Sequence, residues 1–497
     1  MKTLVRSVLI GAAGAGALAG CEVGPNFHPP GPPAVDRYTP APLPAATAAG
    51  AGAAQRFDMG APVKSRWWTL FGSPRLDVLE DEALKANPDL ASAQAALRQA
   101  REAYLAQRAA QFPTVDLAAN ATRAQNSATI APPLANNANV YSLYTVQLNI
   151  AYVVDVFGGL RRQTESAAAQ AENQKFLTEA VYLTLTVNVA NAAIQLASLD
   201  TQMDDTQRVI DADQKTLDIT QHEQRLGEAS TADVAAAETA LEQAAQLGPP
   251  LQKQIDQARD LLAVLVGRAP SQAPADRFEV ADFQLPLDLP VSLPSDLVRQ
   301  RPDVRAAEAN VHVASALVGV AVAARLPSFT LSAAPGGASS QIQTLFSNGN
   351  TFWSVTGAVA QTVFDAGALR HKQRAAEAAL DQAKAQYRSA VQTALQNTAD
   401  VLQAIVDDAD ALKHASAAEA AAARSLRLAR SEYEHGQIGV LGVLNADAAD
   451  RQASIALSQA RAARYVDTIA LYQALGGGWS DRDPAFAGPV GAAAGLE

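Results

Sequence analysis

The sequence has little cysteine, few aromatic residues and no excess of positive charge. Its only cysteine is Cys21, so an intrachain disulfide is excluded. Aromatic residues make up 5% of the 497 positions, a composition typical of closely packed long helices rather than of a thick globular core. The formal net charge is −11, and it becomes −13 when Lys2 and Arg6 are removed with the first twenty residues. A chain this acidic is not expected to bind nucleic acid.

The histidines are scattered and form no motif of a metal site or an active site. The chain has no His-Glu-x-x-His pair, no Gly-x-Ser-x-Gly elbow and no phosphate-binding loop. His222 beside Glu223 comes nearest, and a solvated helix face is the simpler explanation for that pair. We therefore predict that the protein is not an enzyme and has no catalytic residues, bound metal or dissociable cofactor.

Long hydrophobic runs are also scarce. Lys2 and Arg6 precede an apolar run from Val8 to Leu18, and the small residues that follow end at Cys21. This pattern resembles a bacterial lipoprotein signal, so we predict a signal peptide over residues 1–20 and a covalent lipid on Cys21. Residues 21–62 are rich in Pro and Ala and should form an extended tether, with plain disorder as the alternative. No later run approaches the ~20 apolar residues of a spanning helix, so a chain that crosses a membrane must use strands.

The chain repeats itself. Gly158 and Gly227 recur as Gly367 and Gly436, both 209 positions later, whereas Pro88 and Pro113 recur as Pro302 and Pro327, both 214 positions later. Glycine and proline residues that recur at this long spacing indicate a duplicated structural unit rather than a short solenoid period. The predicted division is a first repeat over 63–266, an equatorial linker over 267–294, a second repeat over 295–479 and a C-terminal tail over 480–497.

Glycine and proline are absent from two long stretches, residues 160–226 and 369–435. Each stretch has 67 residues and predicts a helix of ~100 Å. Helices that return over 231–266 and 440–475 complete two long helical hairpins, 160–266 and 369–475. Gly248-Pro249-Pro250 should kink the first return helix. Shorter helices are predicted over 88–111 and 302–325.

Between these helices the period changes from helical to alternating. Residues 144–152 place Val146, Leu148, Ile150 and Tyr152 on one face and polar residues on the other, which predicts a strand with one apolar side. Hairpins are therefore expected over 114–156 and 328–364, giving four strands per chain. Four strands cannot close a barrel, and an open edge inside a membrane is prohibitive. The predicted fold is an internally duplicated α+β membrane protein that forms a homotrimer, with a 12-stranded β-barrel continuous with a helical tunnel.

With these features the sequence resembles the TolC/OprM-type outer-membrane factors, and its lipoprotein signal favours the NodT-like lipoprotein branch of RND-type tripartite efflux systems. The resemblance extends from about Cys21 to Trp479. The residues that carry it are Trp68, Phe71, Leu76, Leu79, Ala83, Leu84, Asn87, Asp89, Leu90, Arg301, Pro302, Asp303, Val304, Glu308, Phe364 to Gly367, Tyr433 to Gly436 and Ala474 to Trp479.

The resemblance implies a passive exit duct in the outer membrane that extends into the periplasm. A periplasmic adaptor would link its tip to an inner-membrane pump of the RND type, and outer-membrane lipid would surround its barrel. A type I protein-secretion duct would look almost the same and remains an alternative. The alternative outside the family is a structural coiled-coil lipoprotein, which would leave the four amphipathic strands unexplained.

The resemblance also implies roles for residues at the far end of the helical hairpins. The adaptor contacts would fall on Gly227, Ala229, Ser230 and Thr231 and on Gly436, Gln437, Ile438 and Gly439, although these glycines are equally explained as turn formers. The closed aperture of the family is often ringed by carboxylates and a bulky apolar residue. Here Asp233 and Leu441 match these positions, whereas Gly442 and Asn445 stand where many relatives have aspartates. We therefore expect a weak acidic ring centred on Asp233, with Leu441 as the main apolar plug.

Overall fold

The computed structural model describes residues 22–50, 52–125, 127, 140–274 and 277–479. The predicted signal peptide, Cys21, most of the loop of the first strand hairpin and the predicted tail over 480–497 lie outside the described residues.

Long helices dominate the described part of the chain. The long helix of the first repeat spans 68 residues and that of the second repeat spans 67, so each is ~100 Å long. The first return helix is broken at Gln246 and Leu247, just before the Gly-Pro-Pro sequence that was expected to kink it. The α-helices are α1 Pro74–Ala86, α2 Pro88–Ala109, α3 Gly159–Leu226, α4 Thr231–Ala245, α5 Gly248–Leu265, α6 Pro294–Gln300, α7 Pro302–Ala323, α8 Ala368–Glu434 and α9 Val440–Ala474.

Strands form a second layer at one end of the helices. Two short strands pair in parallel away from this layer, β1 Arg56–Met59 with β4 Asp288–Val291. The others form one antiparallel sheet whose order, taking collinear pieces together, is β2, then β3, then β5 with β6, then β8 with β7. These strands are β2 Thr114–Gln125, β3 Val140–Val154, β5 Ser328–Ala333, β6 Gly336–Ser339, β7 Thr351–Phe352 and β8 Val355–Ala360.

The second strand hairpin is interrupted, which the sequence analysis did not predict. Pro335 separates β5 from β6 because proline has no N–H to donate to a ladder. The hairpin continues across the interruption, since Ala334 and Ser354 exchange both backbone hydrogen bonds at 2.9 and 3.3 Å. The Pro335 carbonyl still accepts from the Leu148 N–H at 3.0 Å. Among the described residues this sheet therefore has four strands in effect, with edges at β2 and at β7 and β8.

The core lies near the middle of the helices. Trp67, Trp68 and Phe71 are fully buried in a short 3₁₀ turn before α1, and the Trp67 ring stacks on Tyr472 of α9 with centroids 5.3 Å apart. The predicted tether is partly built into this core, because Gln55 is buried and donates to the Thr468 hydroxyl at 3.1 Å. Its last residues form β1, a strand too short for its periodicity to be recognised in the sequence.

Two helices correct the expectation that no later segment is apolar enough to span a membrane. By length and composition α3 and α7 each contain a suitable 18-residue window. Alanine and valine side chains account for much of this apolar character, and about half of each window, 56% and 44%, is buried inside the protein. The two helices pack along each other, and Asn173 of α3 donates to the Ala306 carbonyl of α7 at 2.8 Å.

Candidate functional site: the helical tips and the strand sheet

The turn between α3 and α4 is fixed by local hydrogen bonds. Gly227 adopts a left-handed conformation (φ +83°), which glycine adopts without the steric cost of a side chain. Ser230 then caps α4, and its hydroxyl accepts from the Asp233 N–H at 3.2 Å. The Asp233 carboxylate in turn accepts from the Ser230 N–H at 2.9 Å and from its hydroxyl at 2.7 Å, which completes a capping box. These hydrogen bonds lower the pKa of the Asp233 carboxyl.

The turn between α8 and α9 has the same construction at its start. Gly436 is left-handed (φ +68°), and its N–H donates to the Tyr433 carbonyl at 2.9 Å. Gly439 then precedes α9 in an extended conformation. Ile438 folds back over Gly442, and a Cβ added to that glycine would lie 2.8 Å from the Ile438 Cδ1 atom. Because this contact is with the end of a flexible side chain, a small shift of Ile438 would accommodate a side chain at position 442.

The two turns meet at a shared cleft of about 460 Å³. Of the predicted tip and aperture residues, it is lined by Ala229, Asp233, Gly436, Gln437, Ile438 and Gly439. Gly227, Ser230 and Thr231 belong to the same turn but do not line the cleft, and all three are exposed. Leu441 and Asn445 are outside it, both exposed on α9, with Leu441 58% exposed.

A contact between the repeats forms part of the wall of this cleft. The Tyr433 hydroxyl donates to the Glu223 carboxylate at 2.5 Å, which joins α8 to α3. Burial and the neighbouring carboxylate raise the pKa of Tyr433 to about 12. His222 is exposed, as expected for a solvated helix face, whereas Glu223 is half-buried and holds the Tyr433 hydroxyl. The signal was available in the sequence, because Tyr433 and Glu223 stand three and four residues before the matching glycines.

Above the tips, buried charges connect α3, α8 and α9. Asp213 on α3 is 4% exposed and lies 3.9 Å from the Arg451 guanidinium of α9. Asp447 on α9 accepts from Arg430 of α8 at 3.2 Å. Burial and then the charge of Asp447 raise the pKa of Asp213 to about 6. The Asp213 Oδ2 atom and the Arg451 Nη1 atom have no hydrogen-bond partner among the described residues.

At the other end of the helices, the sheet carries one continuous apolar face. Directly paired residues of antiparallel strands project to the same side. The register aligns Leu117 with Leu148, and it aligns Phe329 with both Val154 and Val359. Leu117, Leu331 and Val359 are 71%, 46% and 65% exposed, so this face has no covering among the described residues. The opposite side pairs polar residues such as Asp116 with Asn149 and Ser332 with Thr356.

An apolar strand face above paired helical hairpins of ~100 Å defines a class of outer-membrane channel proteins. The sequence profile of the family described as "Outer membrane efflux protein" matches residues 79–268 and 293–477. The chain belongs to this family. It is therefore a transport protein of the outer membrane that extends into the periplasm, and not an enzyme.

Individual relatives agree with this assignment. The chain is 30% identical to the "Pyoverdine export outer membrane protein OpmQ" of Pseudomonas putida, over 84% of this chain and 89% of that protein. It is 29% identical to the "Probable efflux pump outer membrane protein TtgC" of the same species, over 96% and 97%. The solved structure of the outer-membrane channel OprN matches with a TM-score of 0.82 at 28% identity, covering 92% of this chain and all of that one. The open-state MtrE channel of Neisseria gonorrhoeae matches with a TM-score of 0.79 at 28% identity, over 92% and 98%.

Proposed function

We propose that this protein is the exit duct of a tripartite efflux system, in which a trimer forms a 12-stranded barrel above a helical tunnel. The observation that carries the proposal is the sheet, which has an apolar face and two unpaired edges at β2 and at β7 and β8 among the described residues. An unpaired edge in hydrocarbon leaves backbone groups unsatisfied, so further copies of the chain must pair with it. A lipid on Cys21, which lies outside the described residues, would anchor the same end of the protein.

Two neighbouring positions on β2 test whether the apolar face meets lipid. Leu117→Arg places a charge on that face, where an arginine near the bilayer centre costs ~2–4 kcal/mol. Ala118→Arg, the matched control, places the same charge on the polar face. We expect Leu117→Arg to reduce the yield of heat-resistant trimer in the outer membrane, and Ala118→Arg to leave it nearly unchanged. Equal effects of both variants would contradict the assignment of the faces.

We infer that the tip residues around the shared cleft, together with Gly227, Ser230 and Thr231, contact a periplasmic adaptor linked to an RND-type pump. Their support is that the turns from both repeats converge on one exposed surface. Because the native Cys21 would be lipidated, Ala229→Cys and Gln437→Cys each introduce the only free thiol. In cells that express the adaptor, these thiols should form cross-links to it, whereas Lys253→Cys, on the exposed side of α5, should not. Cross-linking restricted to Lys253→Cys would refute this assignment.

We infer further that Leu441 is the main plug of the closed aperture and that Asp233 contributes a weak carboxylate ring. Single-channel conductance of the purified protein in a planar bilayer tests both roles. Leu441→Ser should raise conductance sharply because an apolar constriction gates by dewetting. Leu428→Ser, with a leucine 64% exposed on α8, is the matched control. Asp233→Asn is preferable to alanine, because asparagine retains an acceptor for the capping box while it removes the charge.

If neither the wild type nor any variant conducts ions in the bilayer, the duct proposal is refuted. Unchanged conductance of Leu441→Ser in a working channel would refute only the plug. The relatives support small molecules as the cargo class, since their names refer to pyoverdine export and efflux pumps. A polypeptide-secretion duct has no comparable support.

A further inference from the structure

Both edges of the sheet carry exposed apolar side chains. Val363 and Phe364 follow the end of β8 and are 94% and 87% exposed, more than any other large apolar side chain of the described residues. Val115 and Leu117 on the opposite edge strand, β2, are 60% and 71% exposed. Neither edge has a neighbouring strand among the residues that the structure describes. Exposed apolar surface beside an unpaired edge is the kind of surface that a further strand covers.

The strand registers give each edge strand an equivalent inside the chain. Val115 of β2 pairs with Ile150 of β3, and Phe329 of β5 pairs with Val359 of β8. Phe329 lies 214 positions after Val115, and Val359 lies 209 positions after Ile150, the two spacings at which the prolines and the glycines recur. Residue by residue, β5 is therefore the equivalent of β2, and β8 is the equivalent of β3.

The junction between the two hairpins shows how equivalents of the free edges pair. There β3 pairs with β5, and Val154 lies opposite Phe329. The last three residues of β3, 152–154, extend beyond its pairing with β2, because β2 begins at Thr114 opposite Ala151. The end of β3 is thus held in the sheet by β5 alone.

The equivalent end of the second hairpin has no such partner. Residues 361–363 are the equivalents of the last three residues of β3, and they follow the end of β8 at Ala360 without strand structure. Because β5 begins at Ser328 opposite Ala360, no strand of the described chain pairs with them. The exposure of Val363 has the same cause: its equivalent Val154, which is paired with β5, is 38% exposed, whereas Val363 is 94% exposed.

The backbone groups of β8 are turned in the direction that a further strand requires. Ala334 and Ser354 exchange both hydrogen bonds, an arrangement that recurs at every second residue of an antiparallel pair. Ala360 therefore directs its N–H and C=O groups toward β5. Val359 directs its own groups toward the free edge, and a continued strand would place those of Val363 alike.

We propose that β8 of one copy pairs with β2 of a second copy in the register of the junction between β3 and β5. The inference rests on the proposed trimer and specifies which residues meet. Carried over by the two spacings, the register pairs the following residues of the two copies: Val363 with Val115, Thr362 with Asp116, Ala360 with Ala118 and Val359 with Ala119.

This register keeps the two faces of the sheet continuous between copies. Val363 lies on the apolar face with Val359, and Val115 lies on the apolar face of β2. A shift by one residue would place Val363 opposite Asp116, so that an apolar side chain and a carboxylate would share a face. In the proposed register residues 361–363 become the end of β8, and they acquire strand structure only when a second copy is present.

Disulfide trapping tests the register in cells that express the full chain. Ala118→Cys and Ala360→Cys are introduced together, because the pair faces away from the apolar side at a position without hydrogen bonds between the strands, where Cα atoms are ~4.5 Å apart. Within one chain β2 and β8 are separated by β3 and β5, so this disulfide can form only between copies. Asp116→Cys with Thr362→Cys tests the segment beyond β8 in the same way.

The matched controls shift the register by two residues and leave both cysteines on the same face. They are Ala118→Cys with Ala358→Cys, and Asn120→Cys with Ala360→Cys. The shift moves the two Cα atoms a further ~7 Å apart along the strands, which is beyond the reach of a disulfide. Outer membranes are oxidised with copper phenanthroline, boiled and separated on a denaturing gel without reductant.

We expect covalent dimers and trimers from both matched pairs, at about tenfold or more the yield of the shifted pairs, and their loss on reduction. Ala118→Cys alone and Ala360→Cys alone should give none. A higher yield from either shifted pair would overturn the register, and covalent dimers from a single cysteine would show that identical edges meet instead. In either case, conductance of the wild type would leave the duct proposal standing.

Two further outcomes would also contradict the inference. A protein that forms heat-resistant trimer but no disulfide from either matched pair does not use this register. A wild-type protein that remains a single chain in the outer membrane would overturn the register and the proposed trimer together.

Discussion

Replacement of Asp213 by asparagine should stabilise the junction of α3, α8 and α9 in a pH-dependent manner. Asparagine has the shape of the protonated aspartic acid but never carries its charge. Burial and the charge of Asp447 raise the pKa of Asp213 from 3.8 to about 6. The carboxylate is therefore less stable here than in water, even with Arg451 nearby.

The size of the effect follows from this pKa. A tenfold change in proton affinity corresponds to ~1.4 kcal/mol, so full ionisation of Asp213 costs the folded state ~2–3 kcal/mol. Between pH 3.8 and about 6 the folded state binds more protons than the opened state. Stability therefore falls as pH rises through this window. The cost is fully present above pH 6 and absent below pH 3.8.

Hydrogen exchange measures this cost locally, because amides exchange through opening of the segment. At pH 8, the Asp213→Asn variant should protect the amides of α3 around residue 213 by about 30- to 150-fold more than the wild type. The difference should be nearly lost at pH 4, after correction for the intrinsic exchange rate. Asp211→Asn, two residues away and exposed, is the matched control and should show no such difference. Equal protection of Asp213→Asn and wild type at pH 8 would show that the buried charge carries no cost.

Three further substitutions test other contacts. Ser230→Ala removes the cap of α4 and should cost about 1 kcal/mol of helix stability. The amides in the first turn of that helix should then exchange hydrogen faster, and unchanged exchange would contradict the capping role. Tyr433→Phe removes the hydrogen bond to Glu223 and should destabilise the contact between α3 and α8 by about 1 kcal/mol at this partly exposed site. We expect the channel to open more often in the planar bilayer. Wild-type opening frequency would exclude a role of this contact in channel closure. Trp67→Ala empties a fully buried site and should cost ~3–5 kcal/mol, measured as faster cleavage of the folded chain by a protease under mild conditions. Wild-type resistance would contradict the placement of the core.

The sequence predicted the parts of the fold whose signals are local and repeated many times. A stretch of 67 residues without glycine or proline predicts a long helix, and α3 and α8 begin and end within one residue of those stretches. The alternation along residues 144–152 likewise predicted the facing of β3. Both signals add over many residues, so individual exceptions do not obscure them.

Pairing between segments that are distant in the chain could not be predicted from such local sequence signals. The four residues of β1 pair with β4, 232 positions away, and a strand of that length has no usable period. The buried position of Asp213 also escaped prediction, because a carboxylate on a helix usually faces solvent. Of the candidate site, the turns were predictable from their glycines. The Tyr433 contact and the engagement of Asp233 in a capping box depend on geometry that becomes visible only when the turns are folded.

The pairing of β3 with β5 has a consequence for symmetry. Each repeat contributes one hairpin, and within the chain the second strand of the first hairpin pairs with the first strand of the second. The free edges at β8 and β2 are again a second strand and a first strand. Head-to-tail contacts of one kind close into a ring when the rotation permits. The pairing of β3 with β5 inside the chain is thus of the same kind as the pairing of β8 with β2 of another copy. A ring of three chains would therefore have approximate sixfold symmetry, built from hairpins that differ in sequence.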